Sequence, residues 1–111
     1  MEVNVSEHKN CVLIDAKGRI DSSTAPQLEE TFNSLTGKGK YKLVFDMSEV
    51  DYISSAGLRV LISTQKTCKR YNRGQLVLAS VPERVYDALD LAGFVHLFTI
   101  YDDVTTAVAN V

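Results

Sequence analysis

Ser54 and Ser55 stand side by side where a polar loop gives way to a helix-forming run that opens Ala56-Gly57-Leu58. A helix start leaves backbone N–H groups unpaired, and the helix dipole adds partial positive charge there. Such a place favours a negative group, so a serine in it is well set to carry and lose a phosphoryl group. The plainer role for either hydroxyl is to cap the helix, accepting a bond from an N–H two or three residues on. Spacing alone leaves both roles open. Gly57 lets the backbone pass closely beneath the loop, and small Ala56 keeps the hydroxyls accessible.

Catalytic chemistry is harder to assemble. Neither histidine, His8 or His96, lies near the serine pair in sequence to act as a general base. The phosphoryl chemistry would then belong to a separate kinase. Asp46, Glu49 and Asp51 flank the loop and invite thought of magnesium. However, that ion usually needs carboxylates together with substrate phosphates, and the sequence has no glycine-rich phosphate loop. A solvated acidic loop is the expectation. Cys68-Lys69-Arg70-Tyr71-Asn72-Arg73 superficially resembles a phosphatase loop with a cysteine nucleophile. It is one residue short between cysteine and arginine, and it falls late in a helical pattern. Cys11 and Cys68 read as buried thiols, not as a disulfide. No metal ligand set and no cofactor are expected.

Composition narrows the class further. The chain has 111 residues, 45% hydrophobic and 23% charged, with a net charge of −2. That suits a single domain over residues 1–111 with an ordinary core. The alternating lysines Lys38, Lys40 and Lys42 make no basic stripe, so nucleic-acid binding is not expected. No segment approaches a membrane span, and Met1-Glu2-Val3-Asn4 lacks the blocks of a signal peptide. The expected location is therefore cytoplasmic, with no direct membrane insertion.

The elements that must hold the serines follow from periodicity. Val3 and Val5 alternate with polar residues in a first strand, and Cys11 to Ala16 forms a second, antiparallel to it. Residues 18–21 close that strand region. Thr24-Ala25-Pro26-Gln27 matches a capped helix start, with Ala25, Leu28, Phe32 and Leu35 as its apolar face. Leu43-Val44-Phe45 reads as a central strand covered on both faces. After the serine loop, Leu58, Leu61, Ile62, Gln65 and Cys68 mark a second helix, stopped at Asn72-Arg73-Gly74. Leu76 to Ala79 is another strand, and Ser80-Val81-Pro82-Glu83 repeats the capping pattern. Val95 to Tyr101 gives an edge strand, and Val104 to Val111 a short last helix. Strand-helix-strand repeats after an initial hairpin predict an α/β fold on a mixed sheet of four to five strands, with about four helices mainly on one face.

Two stretches carry a family resemblance. Asp46-Met47-Ser48-Glu49-Val50-Asp51-Tyr52-Ile53-Ser54-Ser55-Ala56-Gly57-Leu58 resembles the signature of STAS domains, the anti-sigma factor antagonist family. Gly18-Arg19-Ile20-Asp21-Ser22-Ser23-Thr24-Ala25 resembles that family's second motif, and the element order agrees over nearly the whole length. The resemblance implies a STAS-like fold and a non-enzymatic bacterial partner-switching protein. Its partners would be an anti-sigma factor that is also a serine kinase, and a metal-dependent serine phosphatase that resets the switch. The family's acceptor position falls on Ser55, with Ser54 as the alternative. Where the family often has an acid before the acceptor and a hydroxyl after it, this chain has Ser54 and Ala56. The implied contact surface comprises Asp21, Ser22, Ser23 and Thr24 with Ser54, Ser55, Ala56, Gly57, Leu58 and Arg59. The competing implication is a STAS accessory subunit of a membrane transporter.

Overall fold

A computed structural model describes residues 1–71 and 73–111. The chain opens with an antiparallel hairpin, β1 (Glu2–Glu7) and β2 (Val12–Ile20), then α1 (Ala25–Gly37). Next come β3 (Lys42–Asp46), β4 (Val50–Ile53) and α2 (Ser55–Lys69). β5 (Gln75–Ala79), α3 (Glu83–Leu91), a 3-10 turn (Val95–Leu97), β6 (Ile100–Tyr101) and α4 (Val104–Asn110) complete it. The main sheet runs β1-β2-β3-β5-β6, with every pairing after the hairpin parallel. The mixed α/β sheet with four helices is the expected class.

β3 and β5 lie in the middle, and their side chains alternate as a pleated strand demands. Leu43, Phe45, Leu76 and Leu78 join Ile14, Leu28, Phe32, Leu61, Val85 and Leu89 in the larger core, beneath α1, α2 and α3. Phe32 meets Phe45 edge to face, with ring centroids 5.4 Å apart. Val44, Val77 and Ala79 point the other way, where Ala107 of α4 covers them beside Cys11. Helices therefore sit mainly on one face.

The strand missed by pattern is β4. Val50 and Ile53 are buried while Asp51 and Tyr52 are exposed, a four-residue span too short and polar to stand out from a loop. β2 makes β4 possible by running on to Ile20. Its first half pairs with β3, from Val12 opposite Leu43 to Asp15 opposite Asp46. From Gly18 its second half pairs with β4 instead, Gly18 opposite Val50 and Ile20 opposite Ile53, with an irregularity in register between Gly18 and Arg19. Gly18 has φ +103°, a backbone shape costly for any residue with a Cβ, so the strand turns there instead of ending.

Other expectations shift in detail. The run Val95 to Tyr101 keeps only Ile100 and Tyr101 as strand, because Val95–Leu97 winds into the 3-10 turn. The Thr24 and Ser80 capping patterns are not used as such. The Thr24 hydroxyl bonds backward along the chain. Ser80 adopts φ +54° and its hydroxyl donates to the Asp102 carbonyl, leaving Pro82 at the start of α3. In the expected stop after α2, Asn72 lies outside the described residues. Gln65, read as one more residue of a helical stripe, is a buried clamp. Its amide donates to the carbonyls of Leu76 at 3.0 Å and Leu97 at 2.8 Å, and its oxygen accepts from the Leu76 N–H at 2.7 Å.

Candidate functional site: the start of the second helix

The end of β2, the end of β4 and the start of α2 converge. The Ser54 N–H donates to the Ile20 carbonyl at 2.8 Å, which pins the loop to β2. Ser54 is extended, and its hydroxyl accepts from the Gly57 N–H at 3.4 Å while its carbonyl accepts from Leu58 N–H. Of the two roles left open by sequence, the structure assigns the cap, and it falls on Ser54. Ser55 is the first residue of α2, exposed, and among the described residues its hydroxyl has no hydrogen-bond partner. No acidic side chain occupies the first turn, so the positive end of the helix is uncompensated.

Gly57 sets how close this helix start comes to the strands. A Cβ at that position would lie 2.6 Å from Cγ2 of Ile20 and 2.7 Å from Cγ1 of Ile53. The glycine is needed for approach, not for a left-handed turn. Gly57 and Leu58 are buried, so they shape the expected contact surface from beneath and do not lie on it.

The loop after β2 is held by Asp21. Its carboxylate accepts from the Ser23 hydroxyl at 2.7 Å and from the amides of Ser23 at 3.0 Å and Thr24 at 3.2 Å. Those bonds, the Ser23 hydroxyl foremost, hold the carboxyl below its usual range. The Thr24 hydroxyl accepts from the Asp21 N–H at 2.9 Å and donates to the Arg19 carbonyl at 2.8 Å, so Thr24 is half-buried and fully engaged. Arg19 itself lies 4.4 Å above the Tyr52 ring and 3.8 Å from the Asp21 carboxylate. This pairing of β2 and β4 side chains was hidden because β4 was hidden.

The two loops meet at a shallow groove between α1 and α2. Ser22, Pro26 and Glu29 line one wall, and Ala56, Arg59 and Ser63 the other. Ser22, Ala56 and Arg59 were expected on the surface. Pro26, Glu29 and Ser63 were not singled out, though the helical spacing of Arg59 and Ser63 places them on one face. The acids around the serine loop are already occupied in part: Asp46 accepts from the Ser48 amide and Glu49 pairs with Lys17 at 3.0 Å. Among the described residues, no group of three or more His, Cys, Asp or Glu could hold a metal ion. Cys68 is fully buried inside α2, and burial pushes its thiol up to about 11, so it is no thiolate nucleophile at neutral pH.

A family model for the STAS domain matches residues 2–107, nearly the whole span of this architecture. The chain belongs to the STAS domain family. This STAS domain is 30% identical over 107 residues to the anti-sigma-F factor antagonist RsfB of Mycobacterium tuberculosis, covering 96% of this chain and 88% of that one. It is 30% identical over 100 residues to the anti-sigma-B factor antagonist of Bacillus subtilis, covering 90% of each. Its fold matches that of the Bacillus anti-sigma factor antagonist SpoIIAA, at 11% identity. The TM-score is 0.83 to the unphosphorylated form, covering 96% of this chain and 93% of that one. It is 0.77 to the phosphorylated form, covering 97% of each. Among the described residues, no helix of this STAS domain is long and apolar enough to cross a membrane.

Proposed function

We propose that this STAS domain is an anti-sigma factor antagonist working by partner switching in the cytoplasm. Unphosphorylated, it docks on an anti-sigma factor that is also a serine kinase, through the groove and the Ser55 turn. The kinase then transfers the γ-phosphoryl group of ATP to Ser55 Oγ, its own base taking the hydroxyl proton and ADP leaving. A metal-dependent serine phosphatase returns the phosphoryl group to water. The domain supplies no catalytic group to either step.

The observation that carries this reading is the division of labour between the serines. Ser54 is spent on the cap, whereas Ser55 presents a free hydroxyl at the positive end of α2. Phosphorylation adds about −1.5 to −2 charges. The dipole offsets part of that, by about 0.3–1 kcal/mol, so the domain stays folded. In a docked complex the same charge would be buried, at a cost of several kcal/mol without a matching cation. About 4 kcal/mol corresponds to a thousandfold loss of affinity. The phosphorylated structure of SpoIIAA, which shares the fold, supports the idea that such a domain tolerates the modification.

The decisive experiment is mass spectrometry of the domain purified from its own cells, with the kinase absent and present. A phosphoryl group on Ser55 that appears only with the kinase supports the reading; modification confined to Ser54, or none, overturns it. The transporter-subunit alternative has less support, because the relatives above are named as antagonists.

A further inference from the structure

The exposed face of α2 continues past Ser55. Ser55, Arg59, Ile62, Lys66 and Lys69 follow at steps of four, three, four and three, which keeps them on one side of the helix. That side holds Arg59, Lys66 and Lys69, with Arg70 at the cap, and α2 contains no acidic residue at all. All four cations are exposed, and among the described residues none of them forms an ion pair. The chain as a whole carries a net charge of −2, so this is a local concentration against the balance of the molecule.

Beside the cations lies a groove of about 330 Å³ with an apolar floor. Half-buried Ile62 and 41%-exposed Leu97 form the floor, and Lys66, Lys69 and Arg70 form the rim. The groove's second wall is the 3-10 turn, and the buried Gln65 side chain holds that turn against α2 through the Leu97 carbonyl. The helix dipole accounts for basic residues in the last turn of a helix. It does not account for an open apolar floor between them, which leaves hydrophobic surface and unpaired charge side by side.

We propose that this end of α2 is a second docking site, occupied by an acidic segment of the partner protein that inserts one apolar side chain between Ile62 and Leu97. The proposal deepens the reading above: the same partner reads Ser55 at one end of the helix and grips the basic end at the other. Ile62 and Lys69 lie seven and fourteen residues along from Ser55, about 10 and 21 Å at 1.5 Å per residue, so the second site begins two turns beyond the serine. The charges steer encounter and fix the orientation of docking, while the apolar contact supplies the anchor. A protein segment fits better than a lipid surface, because the apolar lining amounts to Ile62 and Leu97 alone, with Lys66, Lys69 and Arg70 around them.

The test separates this site from the Ser55 reading. The isotope-labelled full-length chain is titrated with a synthetic acidic helical peptide carrying a single central leucine, followed by amide NMR. Expected are salt-sensitive shifts clustered at Ile62, Lys66, Lys69 and Leu97, absent with the leucine replaced by serine and absent in a Lys66→Glu, Lys69→Glu variant with an unchanged fold. Scattered shifts, or shifts indifferent to the variant, overturn the site. In parallel, the kinase that modifies Ser55 is measured for binding to the same variant. A loss of about tenfold or more, with Ser55 still phosphorylated at high kinase concentration, supports the proposal. Binding within about twofold of wild type overturns it. Vesicles of anionic phospholipid provide the rival outcome: binding to them that the variant abolishes, with the peptide inert, assigns the face to membranes and overturns it. If no kinase modifies Ser55, the partner-switching reading falls, and the peptide titration still decides the surface.

Discussion

Gly57 and Ile20 are in a contact that no side chain could share: a Cβ on the glycine would come within 2.6 Å of the isoleucine Cγ2. The start of α2 rests directly on the last residue of β2. Every group on the outside of that turn is aimed by this contact.

Gly57→Ala should therefore destabilise the domain by about 1–3 kcal/mol, the usual cost of overpacking a tight core. The obstructing atoms belong to two branched side chains, which cannot swing aside cheaply. Urea denaturation should show a lower midpoint. The folded fraction should also bind the kinase less well, because the turn has moved. An unchanged midpoint would mean that α2 can lift without cost.

Ser54→Ala and Ser55→Ala should separate cleanly. The first removes the cap and should cost about 0.5–1 kcal/mol, at the lower end for a cap because the bond is long at 3.4 Å. Phosphorylation at Ser55 should survive. The second should change stability by less than about 0.5 kcal/mol, as for an ordinary surface position, and abolish phosphorylation. Thermal melts and kinase assays on the two variants read both halves.

Gln65→Leu removes three hydrogen bonds from a buried place and leaves the Leu76 N–H without its acceptor. Unpaired buried groups cost about 1–3 kcal/mol each, so a loss of about 3 kcal/mol is expected. The Leu76 amide should lose its protection against hydrogen exchange. The 3-10 turn should loosen with it.

Asp21 gives the loop after β2 a pH signature. Its carboxyl is held below the usual range by the Ser23 hydroxyl and the loop amides. A depressed folded-state value means that its stabilising effect is complete above the unfolded carboxylate value, about 3.9, and is lost as pH falls through the lower folded one. The Ser23 and Thr24 amide signals should therefore stay put down to about pH 4 and move together below it. Asp21→Asn should abolish that movement.

Much of this architecture is legible in the sequence, and the exceptions have physical causes. Leu43-Val44-Phe45 and Leu76 to Ala79 announce central strands because both faces are buried. The α1 and α2 stripes announce themselves because helices bury one side. β4 does not, since only Val50 and Ile53 turn inward and its partner strand is set by a glycine bend elsewhere. The serine pair was found by type and spacing, yet which serine caps was decided by one hydrogen bond in three dimensions. Asp21, expected as a surface residue, organises its loop because its carboxylate takes the Ser23 and Thr24 amides while the Thr24 hydroxyl takes the Asp21 amide in return. Gln65 was invisible as a clamp because its partners, Leu76 and Leu97, are eleven and thirty-two residues away.

The division of β2 between two neighbours has a further result. Below the Gly18 bend it belongs to the main ladder with β3; above it, to a small annex with β4 that carries both loops. The loops at the end of β2 and the start of α2 thus hang on a strand of four residues, and a change there can reshape both while the ladder with β3 keeps its register.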